Sequence, residues 1–440
     1  MKKDQLGLSY SGVGSAQALD DYLAALDSYY GYIGDYIALV DRALADSPQF
    51  VMAHLLKAYM VLIGSNAEMV AVSAHHHAAA AALPMNDRER MHVRALGLAL
   101  ENRLWESARA FEDLSVDYPL DGLALHVGAV VDYLIGDSRM LRDRIGRAMP
   151  DWSPDMHGYH GLLGSAAFGL EETGQYARAE AMGLEALAFE PRNGWATHAV
   201  AHVFEMENRR REGAVWMRSR LDDWSKESGI AVHNWWHLAL FHLGLGETDE
   251  VLKLYDGPIF GTPSAFQFDM VDASALLWRL QLKGVDVGGR WHAIADAWEK
   301  DVGVGGESTF PFNDWHAMMA FVGAGRDEAA VELLAAQGRG VAAAEGDGPM
   351  MLREVGQPVT LAVRAFGEGR YRDCVELLRP VRNRAHRFGG SHAQRDLIDQ
   401  TLIEAARRDG QRNLVIALEA ERGFAKPEAD DVTAMLSRAA

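Results

Sequence analysis

The feature that most constrains this chain is the stretch GLEETGQYARAEAMGLEALAFEPRN, residues 169–193. It reads as a helix ending at Gly174, a short turn carrying Tyr176, and a second helix running through Ala179, Gly183 and Ala186 to Pro191. Small residues at those three sites let two helices approach closely, and proline, with no N–H to donate, stops the second one. A single pair of this kind cannot bury its own apolar face. It must stack on neighbours, so one hairpin implies an array.

Equivalent turn positions recur at Ala67, Trp105, Ser138, Arg210, Thr248, Trp291, Arg326, Tyr371 and Gln411, about 38 residues apart. Strand signals are weak throughout. The spacing resembles the tetratricopeptide repeat, an antiparallel helix pair of about 34 residues. The expected fold is all-α, an α-solenoid of tetratricopeptide-like helix hairpins: an N-terminal helical cap over residues 1–50, then a single array of about ten pairs over 51–440. Glycine-rich segments at 257–268, 301–311 and 335–349 interrupt the array and are expected to reach over its concave face as lids.

The groove-lining positions of the repeat family, counted back from each turn, are implied by that resemblance. They select Trp195, His198, His202, Glu205 and Met206 ahead of Arg210; His126 ahead of Ser138; and His233 and Trp236 ahead of Thr248. Asp314 falls there ahead of Arg326, and Asp396 and Asp399 ahead of Gln411. Trp235, Trp315 and His242 are expected in the core. His198 and His202 share a helical face with Glu205 one turn on, and His233 and His237 repeat the i, i+4 spacing. A divalent transition metal is therefore the one cofactor the spacing admits, with Glu205 as a conceivable third ligand. HAVAH lacks the glutamate of H-E-x-x-H, so the zinc-protease motif is absent. In GGSHAQRDLIDQ, Ser391 and Gln394 fit a capping box, leaving Arg395 and Asp396 available for a ligand.

Composition narrows the partners. The net charge of −19, from 62 acidic against 43 basic residues, disfavours phosphate backbones and anionic lipid surfaces, so neither nucleic acid nor membrane is expected. A single cysteine, Cys374, cannot form an internal disulfide and falls at a small-residue packing position; with no signal-peptide pattern, a cytoplasmic setting is expected. There is no phosphate-binding G-x-x-x-x-G-K-[ST] loop and no G-x-S-x-G elbow.

Several blocks, HAVAHVFEMENR, HNWWHLALFH, MVDASALLWRLQLKGVDVGGRW, FNDWHAMMAF and GGSHAQRDLIDQTLIEAA, resemble in order and spacing the family of tetratricopeptide repeat protein 38, most densely from about residue 155 to 405. The resemblance implies a helical repeat and brings forward His198, His202, Glu205, His233, Asn234, His237, Asn313, Asp314, His316, Arg395 and Asp396, without implying a reaction. Two functions remain open. One is a binding protein whose pocket, lined by Trp195, His233, Asn234, Trp236, His237, His316, Arg395 and Asp396, takes a small polar or peptidic ligand. The other is a hydrolase or lyase in which His198 or His202 acts as base, Glu205 or Asp314 orients it, and Arg395 holds an anionic group. Homo-oligomerisation is left open.

Overall fold

Small residues at helix contacts, and glycines where the chain must reverse, set this architecture. In the computed structural model, which describes residues 2–62, 67–301, 310–342 and 346–426, almost everything is helix, with one two-residue strand pair near the N-terminus, Lys2–Lys3 against Ser9–Tyr10. The chain is an all-α succession of tetratricopeptide-like helix hairpins. The diagnostic pair behaves as its sequence demands: helices span Tyr159–Glu171 and Tyr176–Phe189, and Gly174 turns between them at φ +74°. Ala179, Gly183 and Ala186 are its buried positions. A Cβ on Gly183 would stand 2.6 Å from Val200 Cγ2, so hydrogen is the only side chain this approach tolerates. Each turn position read from the sequence lies at, or one residue from, the first residue of a helix, from Ala67 to Gln411.

The chain forms two compact units. The first comprises residues 1–200 and 221–231, the second residues 201–220 and 232–440, so the helix Gly194–Met206 is divided between them. In the first unit, Leu141, Ile145, Trp152, Leu162 and Phe168 form an apolar core. Its buried charges are paired: Arg144 donates to both oxygens of Asp132 at 2.7 and 2.8 Å, and Asp121 takes His92 at 3.0 Å and Arg88. Glu89 and Arg88 also fasten the N-terminal segment, Glu89 accepting from the Ser11 amide at 2.8 Å and Arg88 donating to the Ser9 carbonyl at 3.0 Å. The first two helices of the 1–50 segment, Ala16–Gly31 and Tyr36–Asp46, belong to this unit.

In the second unit, the long apolar helix Gln267–Leu282 is buried along most of its length. Trp278 and Trp298 fill this core, and each indole N–H finds an oxygen, Thr401 Oγ1 at 3.0 Å and Ser274 Oγ at 2.9 Å. A buried indole left unpaired would cost about 1–3 kcal/mol, so such pairing fixes the rotamer as well as the packing. The 257–268 segment closes into a turn at Tyr255–Ile259 and runs into this helix. Of the other two expected lids, residues 302–309 and 343–345 lie outside the described residues. Among the described residues, no helix is long and apolar enough to cross a membrane.

Candidate metal centre

The helix Ala231–Gly244 is apolar nearly all round, so its polar side chains are carried inward with it. His233, Asn234, Trp236 and His237 are all buried. The ring of His237 lies 4.9 Å from that of His233 and 4.5 Å from that of His202 on the preceding first helix. Ring nitrogens of His202, His233 and His237 come within 4.8 Å of one another. A tetrahedral ion bound at about 2.0 Å would hold its nitrogens about 3.3 Å apart, closer than the 4.8 Å limit within which these atoms lie.

Behind His233 stands Asp272, fully buried on the Gln267–Leu282 helix, with its two oxygens 2.8 and 3.0 Å from His233 Nδ1. An ionised carboxylate only accepts, so with Asp272 ionised His233 donates through Nδ1, which leaves Nε2 facing away from the carboxylate. A carboxylate bonded to the far nitrogen of a histidine in this way orients metal ligands and raises their basicity. Burial pushes the Asp272 carboxyl above its ordinary range, against the pull of His233. Burial, reinforced by His202 and His233, holds His237 well below the ordinary imidazole range. A neutral imidazole is the form that ligates a metal. The donor set of three nitrogens with one outer carboxylate fits a borderline divalent transition ion.

Trp236 is fully buried and stacks on His233, with ring centroids 5.3 Å apart and 13° between planes, while the Arg279 guanidinium lies 5.3 Å from the Trp236 ring. Phe268, where the 257–268 segment enters its helix, packs on the same histidine at 4.6 Å. The expectation that Trp235 lies in the core and Trp236 in the groove is reversed in burial, because the helix is rotated by about one residue from the family count. His242, expected in the core, is buried, with Nδ1 close to Glu247 and Nε2 to Arg218.

Trp195 and His198 belong to the first unit, where their rings stack 4.7 Å apart and Phe168 contacts both. Glu205 does not join the imidazoles; it takes Lys426 Nζ at 2.7 Å. Asp314 is buried and accepts from Gln337 at 3.0 Å. His316, at the inward position its count gives, bonds the Phe312 carbonyl at 2.8 Å through Nδ1, and burial lowers its pKa to about 3. The Ser391–Gln394 capping box is formed; Arg395 lies on the Gly390 carbonyl, and Asp396 is held by Arg422 at 2.7 and 2.9 Å. His126 is buried among Tyr29, Tyr30 and Tyr32. Sequence reasoning passed over Asp272 and Arg279. Their signal was there to be read: charged residues seven apart in an otherwise apolar helical run, which can only be buried with partners.

Among solved structures, the chain is similar to the crystal structure of the P58(IPK) TPR domain, at 14% identity over 82% of this chain and 99% of that one, with a TM-score of 0.20. No family model matches the sequence.

Proposed function

We propose that this chain is a tetratricopeptide-like helical repeat protein that holds a divalent transition metal on His202, His233 and His237 and presents it to a small polar ligand. The observation that carries this reading is the convergence of three buried imidazoles, one of them backed by a buried carboxylate. The resemblance of its ordered sequence blocks to the family of tetratricopeptide repeat protein 38 belongs to the same reading, as does a cytoplasmic setting.

The chain's own residues divide the work. His202, His233 and His237 supply nitrogen donors, Asp272 fixes the direction of His233, and Trp236 and Phe268 pack against it. A bound ion would supply Lewis acidity, the chemistry that polarises a carbonyl or phosphoryl oxygen. Ligand binding is the primary role; hydrolase or lyase activity is its extension, and turnover of a metal-bound ligand separates the two.

The test is elemental analysis of the full chain, purified without chelator and reloaded with Zn(II), Co(II) or Ni(II). One ion per chain is expected, falling to background in His233→Ala and weakening about 10–100-fold in Asp272→Asn. Equal metal content in the wild type and His233→Ala would overturn the proposal.

A further inference from the structure

The second unit contains a polar cavity of about 510 Å³ whose walls include Glu205, Arg279, Lys283, Asp396, Arg422 and Lys426. Its acidic lining is already neutralised. Glu205 is taken by Lys426 at 2.7 Å, and Asp396 by both nitrogens of the Arg422 fork. Glu404 accepts from Arg408 at 2.8 Å, and Glu419 from Arg407 at 2.7 Å.

Two further cations line the same wall without a salt bridge among the described residues. Arg279 is 2% exposed, and its guanidinium donates to backbone carbonyls, Ala393 at 2.7 Å and Ala275 at 3.3 Å. A guanidinium has five N–H donors, and a buried one normally faces a carboxylate. Lys283 lies one turn further along, on the residue that caps the same helix, and makes no ion pair among the described residues. Although its side chain reaches solvent, partial desolvation and then the charges of Arg422 and Arg210 lower its pKa from the ordinary lysine value. The carboxylates of Asp396, Glu205 and Asp272 attract Arg279 without bonding it, and the lining as a whole carries six basic side chains against four acidic ones, a net positive cavity in a chain of net charge −19.

We infer that this cavity is an oxyanion-binding site in which the Arg279 fork and the Lys283 ammonium together hold the phosphate or carboxylate group of a small molecule. A planar fork and a point charge make a complementary pair: the fork fixes orientation, and the ammonium adds attraction without directional demand. Buried Glu205, tied to Lys426, walls the cavity and disfavours a second anionic group on that side.

The inference is independent of the metal centre, because neither cation is among the proposed ligands. The experiment is titration calorimetry of the full chain with inorganic phosphate and, separately, with succinate, against chloride at matched ionic strength, before and after chelator treatment. Saturable binding of one anion per chain is expected with at least one probe, unchanged by chelation. Lys283→Gln should weaken it about tenfold or more while leaving the melting temperature unchanged, and Lys283→Arg should restore it. The phosphate and succinate arms tell the two headgroup chemistries apart. Absence of saturable binding by both probes up to about 10 mM would overturn the inference. So would affinity unchanged in Lys283→Gln, or binding that disappears with chelation.

Discussion

At the scale of single residues, burial decides what each histidine can do. His126 sits among three tyrosines, with Tyr32 Oη 3.4 Å from Nε2, and burial lowers its pKa to about 4. An unfolded chain titrates near 6.5, so between those values the unfolded state binds a proton that the folded state refuses. Its contribution to stability is therefore fully present above about pH 6.5 and is lost as pH falls toward 4, up to about 3 kcal/mol. His126→Phe keeps the aromatic packing and removes the titration. Thermal unfolding at about pH 7 and about pH 4.5 should show a smaller loss for the variant than for the wild type; an unchanged loss would contradict the assignment. The residue scale was also where sequence reading was weakest. A count along a repeat places a residue to within about one position, and one position rotates a helix by about 100°. That error is what exchanged the burial of Trp235 and Trp236. His233 and His237, four apart, keep a shared face whatever the rotation.

At the scale of elements, close helix approach and capping were written in the sequence almost without remainder. Gly183, Ala179 and Ala186 were legible because small residues at one face have few other uses. The Ser391–Gln394 capping box was legible because its two side chains answer two orphan N–H groups. Two stability predictions belong here. Gly183→Val forces a methyl group into Val200 and should cost about 1–3 kcal/mol, read as a lowered melting temperature. Ser391→Ala should cost about 1 kcal/mol by freeing the first turn of the helix His392–Arg408. Little or no change in either would mean that the helix concerned relaxes more easily than its packing indicates. What could not be read was pairing across elements. Asp272 reaching His233, or Lys426 reaching Glu205, joins residues 39 and 221 positions apart, and no local periodicity encodes that.

At the scale of the whole molecule, a repeat array supplies many similar first helices, and the chemistry depends on which of them carry polar side chains inward. Cys374, fully buried with its thiol pushed up to about 12, is a packing residue, whereas the buried imidazoles of the second unit converge on one another. Metal bound only by the folded state should raise stability by about 2.7 kcal/mol at a hundredfold excess over its dissociation constant. Chelation should remove that gain from the wild type and leave His202→Ala unaffected.

The most direct test is metal stoichiometry on matched preparations of the wild type and His237→Ala, which replaces the imidazole in ring contact with both of the others. One equivalent of ion in the wild type and none in a variant that still melts cooperatively is the predicted result. An equal content in both proteins, or no retained ion in the wild type after reloading, would contradict the account.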